Sequence, residues 1–381
     1  MMTLKPQNVH FAEGSIGQLG SILAATNAQS PFFAFDQAAY ASSVAAGTIE
    51  PLLTGRETLR FSGFEPNPKE ADVERGMKLF RSADPDIVIA FGGGTCLDLA
   101  KLIANGAVNE LSARDIITGS SSFLRQGPPI VAVPTTAGTG SEATHFSVAY
   151  VDGKKYSVAH PYLLPSYVIL DPQITYGLPA EVTAASGLDA LCQAIESIWS
   201  VGATSESIEY AAKAIQLCLP HLEAAVLAPS VADRRGMMEA AHLAGKAINI
   251  TKTTAPHAIS YSITSHFGVP HGKAVAITLA PMLRYNAAVS VSDCNDPRGV
   301  VEVKKRIDLL LDLLGGSVAN SVMTIEDIIR RVGGVIRLSE IGADNDDAVK
   351  LFASQVNPER LSNNPRQMDS GAIKRLLQSV R

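Results

Sequence analysis

Apolar positions in the first part of the chain form short, β-rich runs that alternate with helical stretches. Residues 87–91 and 129–133 are continuously apolar, which is typical of parallel strands buried on both faces. Further elements are predicted as strands at 9–11, 32–35 and 168–170, a helix at 72–81, and a hairpin at 147–156 around Asp152-Gly153. This alternation predicts an α/β domain with a parallel sheet over residues 1–177.

The pattern changes after Leu178-Pro179. Long Ala- and Leu-rich stretches follow, in which apolar residues recur with the period of an α-helix. They cover approximately residues 180–200, 204–226, 230–248, 254–266, 300–313 and 323–338. Strand patterns nearly vanish here, so residues 178–381 are predicted to form an all-α domain, with a mobile insertion at 286–300.

Composition narrows the class of protein. Hydrophobic residues make up 46% of the 381 residues and charged residues 18%, which indicates a globular chain with a large core. The net charge is -5 without blocks of like charge, which argues against nucleic acid or a membrane surface as partner. Four cysteines without CxxC spacing suit a reducing compartment. With no signal-like N-terminus and no long apolar run, a soluble cytoplasmic enzyme is expected.

Candidate metal ligands occur in two stretches of the second half. His257 and His271 lie in one short segment, the first on a predicted helix and the second on the loop expected after it. Upstream, Asp189 and Gln193 stand four residues apart on an apolar helical face, where a carboxylate is costly unless it is paired or binds a cation. For each residue alone, a core or capping role is the better explanation. The four together favour a divalent metal site.

Two loops are candidates for binding a cofactor. Gly92, Gly93, Gly94 and Thr95 follow a buried strand and precede a helix, where backbone N–H groups and the helix dipole suit a pyrophosphate. A tight structural turn is the alternative, and the spacing is not G-x-G-x-x-G. The loop 134–144 follows the next buried strand and carries the hydroxyl groups of Thr135, Thr136, Thr139 and Ser141. These hydroxyl groups could contact a cofactor. The alternative is a plain connecting loop in which they cap a helix.

An acid at the end of an early strand bears on cofactor choice. Asp36 follows the apolar run 32–35, a position suited to a ribose 2′-hydroxyl and repulsive to a 2′-phosphate. An exposed turn aspartate is the equally good alternative.

In this order, the motifs resemble those of the iron-dependent (group III) alcohol dehydrogenase family, whose fold is shared with glycerol dehydrogenase and dehydroquinate synthase. The similarity covers nearly the whole chain: Gly92-Gly-Gly-Thr with Asp98 and Lys101, Pro134-Thr-Thr-Ala-Gly-Thr-Gly-Ser-Glu, Leu164-Pro165 to Asp171-Pro172, Asp189-Ala-Leu, and Pro270-His-Gly. The resemblance implies NAD(P) at the glycine turn, with Asp98 in that site, and at the loop 134–144. It also implies NADH preferred over NADPH through Asp36, and a dimer or larger assembly. The metal implied at positions 189, 193, 257 and 271 is typically iron or zinc.

Two positions depart from the family pattern. Gln193 stands where a histidine ligand is usual, and its harder carbonyl oxygen should shift the site towards Fe(II) or Mn(II). Tyr261 stands where a histidine near the substrate is frequent. Its hydroxyl either donates a proton to the nascent alkoxide or fills space.

Within the family, residues 251–261 and 361–366 are similar to the phosphonoacetaldehyde reductase (hydroxyethylphosphonate dehydrogenase) branch. That branch reduces phosphonoacetaldehyde to 2-hydroxyethylphosphonate. Lys252, Lys155 and Arg284 are basic residues in motif regions that would suit a phosphonate dianion, although a solvated surface cation is the commoner role.

Three alternatives stay open at this point. The first is a broader reductase of small aldehydes such as lactaldehyde. The second is a dehydroquinate-synthase-like lyase, against which stands the lack of a dense set of basic residues around the histidines. In the third, Gln193 has emptied the metal site and left a nucleotide-binding protein without catalysis.

Overall fold

The computed structural model describes residues 4–356 and 358–381. The chain divides into two compact units, of which the first ends at Leu178 and the second begins at Pro179. No single described helix is long and apolar enough to cross a membrane. One bent pair of helices, 300–314 with 318–331, passes that test by combined length and composition.

The first unit is built on a six-stranded parallel sheet. The strands of this unit are β1 (Asn8–Phe11), β2 (Pro31–Phe35), β3 (Leu59–Phe61), β4 (Ile87–Gly92), β5 (Ile130–Pro134), β6 (Phe146–Val151), β7 (Lys154–Ala159) and β8 (Tyr167–Leu170). The sheet has the order β1-β8-β5-β4-β2-β3, and a separate antiparallel hairpin is formed by β6 and β7. Of the eight strands, only β3 was missing from the prediction, because three residues carry too little pattern.

Helices cover both faces of this sheet. They are α1 (Gln18–Ala25), α2 (Gln37–Ser42), α3 (Ala46–Leu53), α4 (Glu70–Arg81), α5 (Gly94–Val108) and α6 (Ala113–Thr118). Alternate residues of one strand enter two different cores: Val88 and Ala90 of β4 face one, while Ile87, Ile89 and Phe91 face the other. A strand with apolar neighbours on both faces must itself be apolar at every position, which is why the continuous runs were diagnostic.

The second unit is helical in the part of the chain that the structure describes. Its helices are α7 (Ala180–Trp199), α8 (Ser205–Leu227), α9 (Val231–Thr251), α10 (Ala255–Phe267), α11 (His271–Ala287), α12 (Val300–Leu314), α13 (Val318–Arg331), α14 (Asp346–Ser354), α15 (Pro358–Ser362) and α16 (Ser370–Ser379). The long helix α7 packs against α8, α9 and α11. The predicted fold class, an α/β unit followed by an all-α unit, is confirmed.

The structure corrects three local predictions in this unit. His271 does not lie on a loop but begins α11, a helix whose buried and nearly continuous apolar sequence concealed its period. The helix predicted at 323–338 runs earlier, as α13, and ends before Gly333, whose φ of 72° favours glycine. The segment expected to be a mobile insertion begins inside α11 and contains Asp296, which is 4% exposed.

A buried ion pair fixes that segment. The Asp296 carboxylate contacts the guanidinium of Arg306, which is 2% exposed, and accepts further bonds from the Nε and Nη2 of Arg298 at 2.9 and 2.7 Å. Arg306 also donates to the Ser200 carbonyl at the end of α7. A charge buried this deeply needs its partner, because removing one member leaves the other uncompensated.

We expect Asp296→Asn to lower the free energy of unfolding by about 3 to 5 kcal/mol, since Arg306 would stay buried and charged. Urea unfolding followed by the fluorescence of Trp199, the sole tryptophan and in the same unit, measures this. The matched control is Asp347→Asn, whose exposed pair with Lys350 should be worth about 0 to 1 kcal/mol. Equal effects of the two substitutions would contradict the assigned role.

Candidate metal centre and cofactor-binding loops

Helix α7 presents three polar side chains on one buried face. Asp189, Gln193 and Glu196 follow each other at intervals of four and three residues, the spacing of successive turns on one side of a helix. Their exposed fractions are 3%, 3% and 0%. Polar groups buried to this extent need partners, and α10 supplies one.

His257, in the first turn of α10, stands between the two carboxylates. Its Nε2 lies 3.2 Å from Oδ1 of Asp189, its Nδ1 contacts Oε2 of Glu196, and its backbone N–H donates to Oε1 of Glu196 at 3.2 Å. Burial opposes the imidazolium, but the two carboxylates outweigh it and raise the pKa of His257 to about 9. Glu196 thus orients the ring with Nε2 directed at Asp189, the arrangement in which a carboxylate positions a metal-binding histidine.

His271 completes a cluster with these two residues. One ligand atom each of Asp189, His257 and His271 lies within 4.8 Å of the others. The close approach depends on Gly272, because a Cβ there would lie 1.9 Å from the carbonyl oxygen of Ala185 and 2.9 Å from Cβ of Asp189. Glycine therefore allows the first turn of α11 to press against α7.

The donor set fits a divalent transition metal. It combines two imidazoles with one carboxylate, and Gln193 lies one helical turn from Asp189 with its amide side chain buried. Three of the four predicted ligands are thus brought together, and the fourth lies on the same helical face.

Tyr261 lies beside the cluster, one turn after His257 on α10. Its ring stacks on that of His271 with centroids 5.9 Å apart and planes at 27°. Burial raises the pKa of the Tyr261 hydroxyl, which also accepts a hydrogen bond from the guanidinium of Arg360 in α15. The phenol therefore keeps its proton in a partly buried position next to a predicted ligand.

The three predicted substrate cations lie in different places. Lys252 follows α9 with φ 59° and ψ 179°, two residues before Thr254, whose hydroxyl donates to Glu196 at 3.1 Å. Lys155 is on β7 of the first unit, where its charge acts on Asp98. Arg284 is exposed and lies 13 residues along α11 from His271, so the rise of the helix, roughly 20 Å over that length, puts it beyond reach of the cluster.

In the first unit, the two predicted cofactor loops lie side by side. They follow the adjacent parallel strands β4 and β5, and Thr135 N–H donates to the Gly92 carbonyl at 3.1 Å. A Cβ on Gly94 would lie 2.8 Å from Cγ2 of Thr139, and one on Gly93 would lie 3.4 Å from Oγ1 of Thr136. Glycine here lets the two loops meet at the N-terminus of α5, where backbone N–H groups suit an anion.

A buried network ties the second loop to α5. Oδ1 of Asp98 accepts a bond from the Ser141 hydroxyl at 2.6 Å, and Oδ2 accepts one from the Val148 N–H at 2.9 Å. Lys101 donates to the carbonyls of Thr144 and Phe146 at 3.0 and 2.8 Å. Burial raises the pKa of Asp98 and lowers that of Lys101 to about 8. The network gives Asp98 and Ser141 a structural task, and their contact with a cofactor stays a prediction.

Asp36 directly follows β2 and lies next to the glycine turn. Its backbone N–H donates to the Phe91 carbonyl at 2.9 Å, and a Cβ on Gly92 would lie 3.3 Å from its own Cβ. Oδ1 of Asp36 also caps α2 by accepting from the Ala39 N–H at 2.9 Å. Because the chain leaves β2 towards β3 but leaves β4 towards β5, these residues mark a topological switch point, where open α/β sheets bind their ligands.

Comparison with known proteins agrees with this geometry. Residues 6–172 match the model of iron-containing alcohol dehydrogenases, and residues 183–380 match the C-terminal model of the Fe-containing alcohol dehydrogenase family. The chain is 37% identical over 306 residues to a phosphonoacetaldehyde reductase from Streptomyces viridochromogenes, covering 78% of this chain and 76% of that one. It is 36% identical to a 1,3-propanediol dehydrogenase from Citrobacter freundii over 63% of this chain and 64% of that one.

A solved structure is similar over the whole length. The sulfoacetaldehyde reductase from Bifidobacterium kashiwanohense, in complex with NAD+, superposes with a TM-score of 0.88 at 27% identity, covering 100% of this chain and 99% of that one. The protein is thus an oxidoreductase of the alcohol dehydrogenase class. It belongs to the iron-containing alcohol dehydrogenase family, as the motifs indicated, and is similar to the phosphonoacetaldehyde reductase branch.

Sequence reasoning missed two residues that shape the metal centre. Glu196 carried a detectable signal, since it lies seven residues after Asp189 and three after Gln193 on the same face. Arg360 carried none, because its partner Tyr261 is distant in the sequence and only the packing of α15 brings them together.

We expect Glu196→Gln to lower the affinity for Fe(II) or Zn(II) about 10- to 100-fold, because the amide cannot supply the charge that orients His257. Competition with a metal-binding dye measures the affinity. The control is Glu181→Gln on the same helix, which should leave the metal affinity unchanged. Glu181 is exposed and pairs with Lys273. An unchanged affinity in Glu196→Gln would count against the orienting role.

Proposed function

We propose that this protein reduces phosphonoacetaldehyde to 2-hydroxyethylphosphonate with NADH and a divalent metal. Family membership establishes an oxidoreductase of the alcohol dehydrogenase type. The observation that carries the finer proposal is the 37% identity to a phosphonoacetaldehyde reductase over 78% of the chain. The cluster of Asp189 and His257, both buried, with the partly buried His271 supports the proposal, because these side chains are donors suited to a divalent metal.

Asp189, Gln193, His257 and His271 would hold the metal, for which we propose Fe(II), with Zn(II) or Mn(II) as alternatives. The amide oxygen of Gln193 is a harder donor than imidazole and favours the harder ions. When bound, the metal supplies Lewis acidity towards a carbonyl oxygen and the nicotinamide supplies the hydride.

The surrounding residues would orient the groups and supply the proton. Glu196 fixes the His257 ring, so that its Nε2 points at the cluster. Tyr261 holds a proton at its hydroxyl oxygen beside His271, and we assign it the protonation of the product oxygen.

In the first unit, we assign cofactor binding to the paired loops. Gly92, Gly93, Gly94 and Thr95, at the start of α5, suit the pyrophosphate. The hydroxyl groups of Thr135, Thr136, Thr139 and Ser141 line the neighbouring loop, and Asp98 lies in the network beneath it. Asp36 retains acceptor capacity beyond its capping bond, and its negative charge favours NADH over NADPH.

The backbone of Lys252 supports a role in substrate binding. Its φ of 59° with ψ of 179° falls in a region that is essentially restricted to glycine, where another residue costs about 1 to 3 kcal/mol. Strain of this kind concentrates at functional sites. We assign Lys252 to the phosphonate, and Lys155 of β7 is assigned to it on charge alone.

The substrate assignment is tested by NADH consumption after anaerobic loading with Fe(II). We expect kcat/KM for phosphonoacetaldehyde to exceed that for propanal and lactaldehyde by about 100-fold or more, because charge-assisted bonds to the phosphonate have no counterpart in the neutral aldehydes. Equal rates would favour a general reductase of small aldehydes, the second candidate, which the 36% identity to 1,3-propanediol dehydrogenase supports. Turnover of none of these aldehydes by metal-loaded protein would revive the lyase alternative.

We expect Lys252→Gly to raise the free energy of unfolding by about 1 kcal/mol while lowering kcat/KM for phosphonoacetaldehyde about tenfold or more, chiefly through KM. The gain in stability follows because relief of strain exceeds the added entropy of unfolded glycine. Lys304→Gly in the exposed part of α12 is the control and should destabilise by about 1 kcal/mol. A destabilised Lys252→Gly variant with unchanged substrate preference would show a merely structural lysine.

A further inference from the structure

The carboxylate that orients His257 has a further donor, the hydroxyl of Thr254. Oε1 of Glu196 accepts bonds from this hydroxyl at 3.1 Å and from the backbone N–H of His257 at 3.2 Å, while Oε2 contacts Nδ1 of His257. Glu196 and Thr254 are both 0% exposed, so water does not compete for the bond between them. A hydrogen bond to an ionised acceptor is stronger than one between neutral groups, and Thr254 therefore helps to set the position of the carboxylate.

Thr254 makes this bond in place of its usual local one. It occupies the N-cap position of α10, where a threonine hydroxyl commonly accepts a bond from an N–H of the first turn. In the part of the chain that the structure describes, its hydroxyl makes no capping bond and donates to Glu196. The carboxylate in turn accepts the N–H of His257, the third residue of the helix, and so caps α10 from the neighbouring α7. The Thr254 hydroxyl thus serves Glu196 instead of its own helix.

The indole of Trp199 fixes the direction of the bond from Thr254 to Glu196. Nε1 of Trp199 donates to the Thr254 hydroxyl at 2.9 Å, and Trp199 is 0% exposed. An indole N–H can only donate, and a hydroxyl carries a single proton. Because the Thr254 oxygen accepts from Trp199, its own proton is directed to Glu196, which as a carboxylate can only accept.

The same direction continues to the predicted metal ligand. Since both oxygens of Glu196 act as acceptors, Nδ1 of His257 carries a hydrogen, and Nε2 is the nitrogen that faces Asp189 at 3.2 Å. A metal-binding histidine needs this assignment, because one nitrogen must offer its lone pair while the other donates to a carboxylate. Trp199, Thr254, Glu196 and His257 thus form one chain of hydrogen bonds that ends at the candidate metal centre.

The turn that carries Thr254 is anchored by Asn363, which directly follows α15. The amide of Asn363 donates to the carbonyls of Thr251 and Thr253, on either side of Lys252, at 2.7 and 3.0 Å. Its Oδ1 accepts bonds from a hydroxyl and an N–H at the end of α7, at 2.9 and 3.0 Å. Both donors and both acceptor positions of this amide are used, so the backbone before Thr254 is tied to the helix that carries Glu196. The hydroxyl of Thr254 is thereby preorganised for its bond to the carboxylate.

We propose that Thr254, its hydroxyl directed by Trp199, is a positioning residue for the metal centre. It holds the Glu196 carboxylate where that group orients His257 towards a divalent cation. This inference rests on the proposed function and deepens it, because it assigns to the same site two residues beyond the ligands and Glu196. Thr254 acts through Glu196 and is not itself a ligand.

The affinity for Zn(II), measured by competition with a metal-binding dye, tests this inference. We expect Thr254→Val, which keeps the branched shape but lacks the hydroxyl, to lower the affinity about tenfold, the lower end of what loss of an outer-shell partner costs. Thr254→Ser keeps the hydroxyl and should stay within about threefold of the wild type. The matched control is Thr278→Val in α11, which should bind Zn(II) as the wild type does. Thr278 is also 0% exposed, and its hydroxyl donates to the Val275 carbonyl of its own helix at 3.5 Å.

Unfolding of the metal-free protein separates the positioning role from a purely structural one. Thr254→Val removes a partner from the buried N–H of Trp199 and from Glu196, so we expect it to lower the urea midpoint, followed by circular dichroism. A variant that is less stable but binds Zn(II) as tightly as the wild type would overturn the inference. Equal losses of Zn(II) affinity in Thr254→Ser and Thr254→Val would also overturn it, because the hydroxyl would then be irrelevant.

A double-mutant cycle tests the link to Trp199. Trp199→Phe removes the indole N–H, and we expect it to lower the Zn(II) affinity about threefold while Thr254 is present. In the Thr254→Val background the same substitution should leave the Zn(II) affinity unchanged, because Trp199 acts only through that hydroxyl. The altered packing of the smaller ring is common to both backgrounds and cancels in the cycle. Equal effects in the two backgrounds would contradict the directing role of Trp199.

This inference and the proposed function fail in different ways. If Thr254→Val binds Zn(II) as the wild type does, the role of Thr254 fails and the proposed metal-dependent reductase stands. If the Zn(II) affinity depends on Thr254 but the wild type shows no preference for phosphonoacetaldehyde, the positioning role stands and the substrate assignment fails. A folded wild type that binds no Zn(II) would overturn the metal centre and both proposals with it.

Discussion

Two carboxylates are buried on one face of α7, and the rest of the helical unit must supply positively charged partners for them. Asp189 and Glu196 are 3% and 0% exposed, and carboxylates at that depth need a cationic partner. His257 meets both of them with its two ring nitrogens, and the resulting geometry leaves Asp189 directed towards His271. The proposed metal ligands Asp189 and His257 thus meet because the α7 sequence buries charge that the helical unit must compensate.

The candidate sites also require that backbone segments approach each other closely, and glycines allow this in both units. Gly272 lets α11 begin against Ala185 and Asp189, which brings His271 into the cluster. In the first unit, Gly94 lets the turn after β4 contact Thr139 of the next loop. In each case a side chain at the glycine position would separate the groups that the chemistry needs together.

Part of this architecture was predictable because local patterns carry it. The continuous apolar runs gave the buried strands, and the helical spacing of Asp189 and Gln193 gave one side of the metal site. Helix α11 escaped because it is buried on nearly all sides, so that no amphipathic period marks it. Arg284 was assigned to the substrate on charge, but the length of that same helix separates it from the cluster. The task that Lys101 performs, binding carbonyls of a loop about 40 residues away, has no local signature.

The sequence by itself determined most of the order of elements, the two structural classes and the residue types of the predicted metal site, because these follow from short-range periodicity and from the cost of burying charge. Tertiary structure alone decided which groups meet. It set Glu196 behind His257, brought Arg360 to Tyr261, and held Lys252 in its strained conformation through Asn363. Such pairings depend on how helices distant in the chain pack together, and the free energy of that packing is shared among many contacts that no single stretch of sequence encodes.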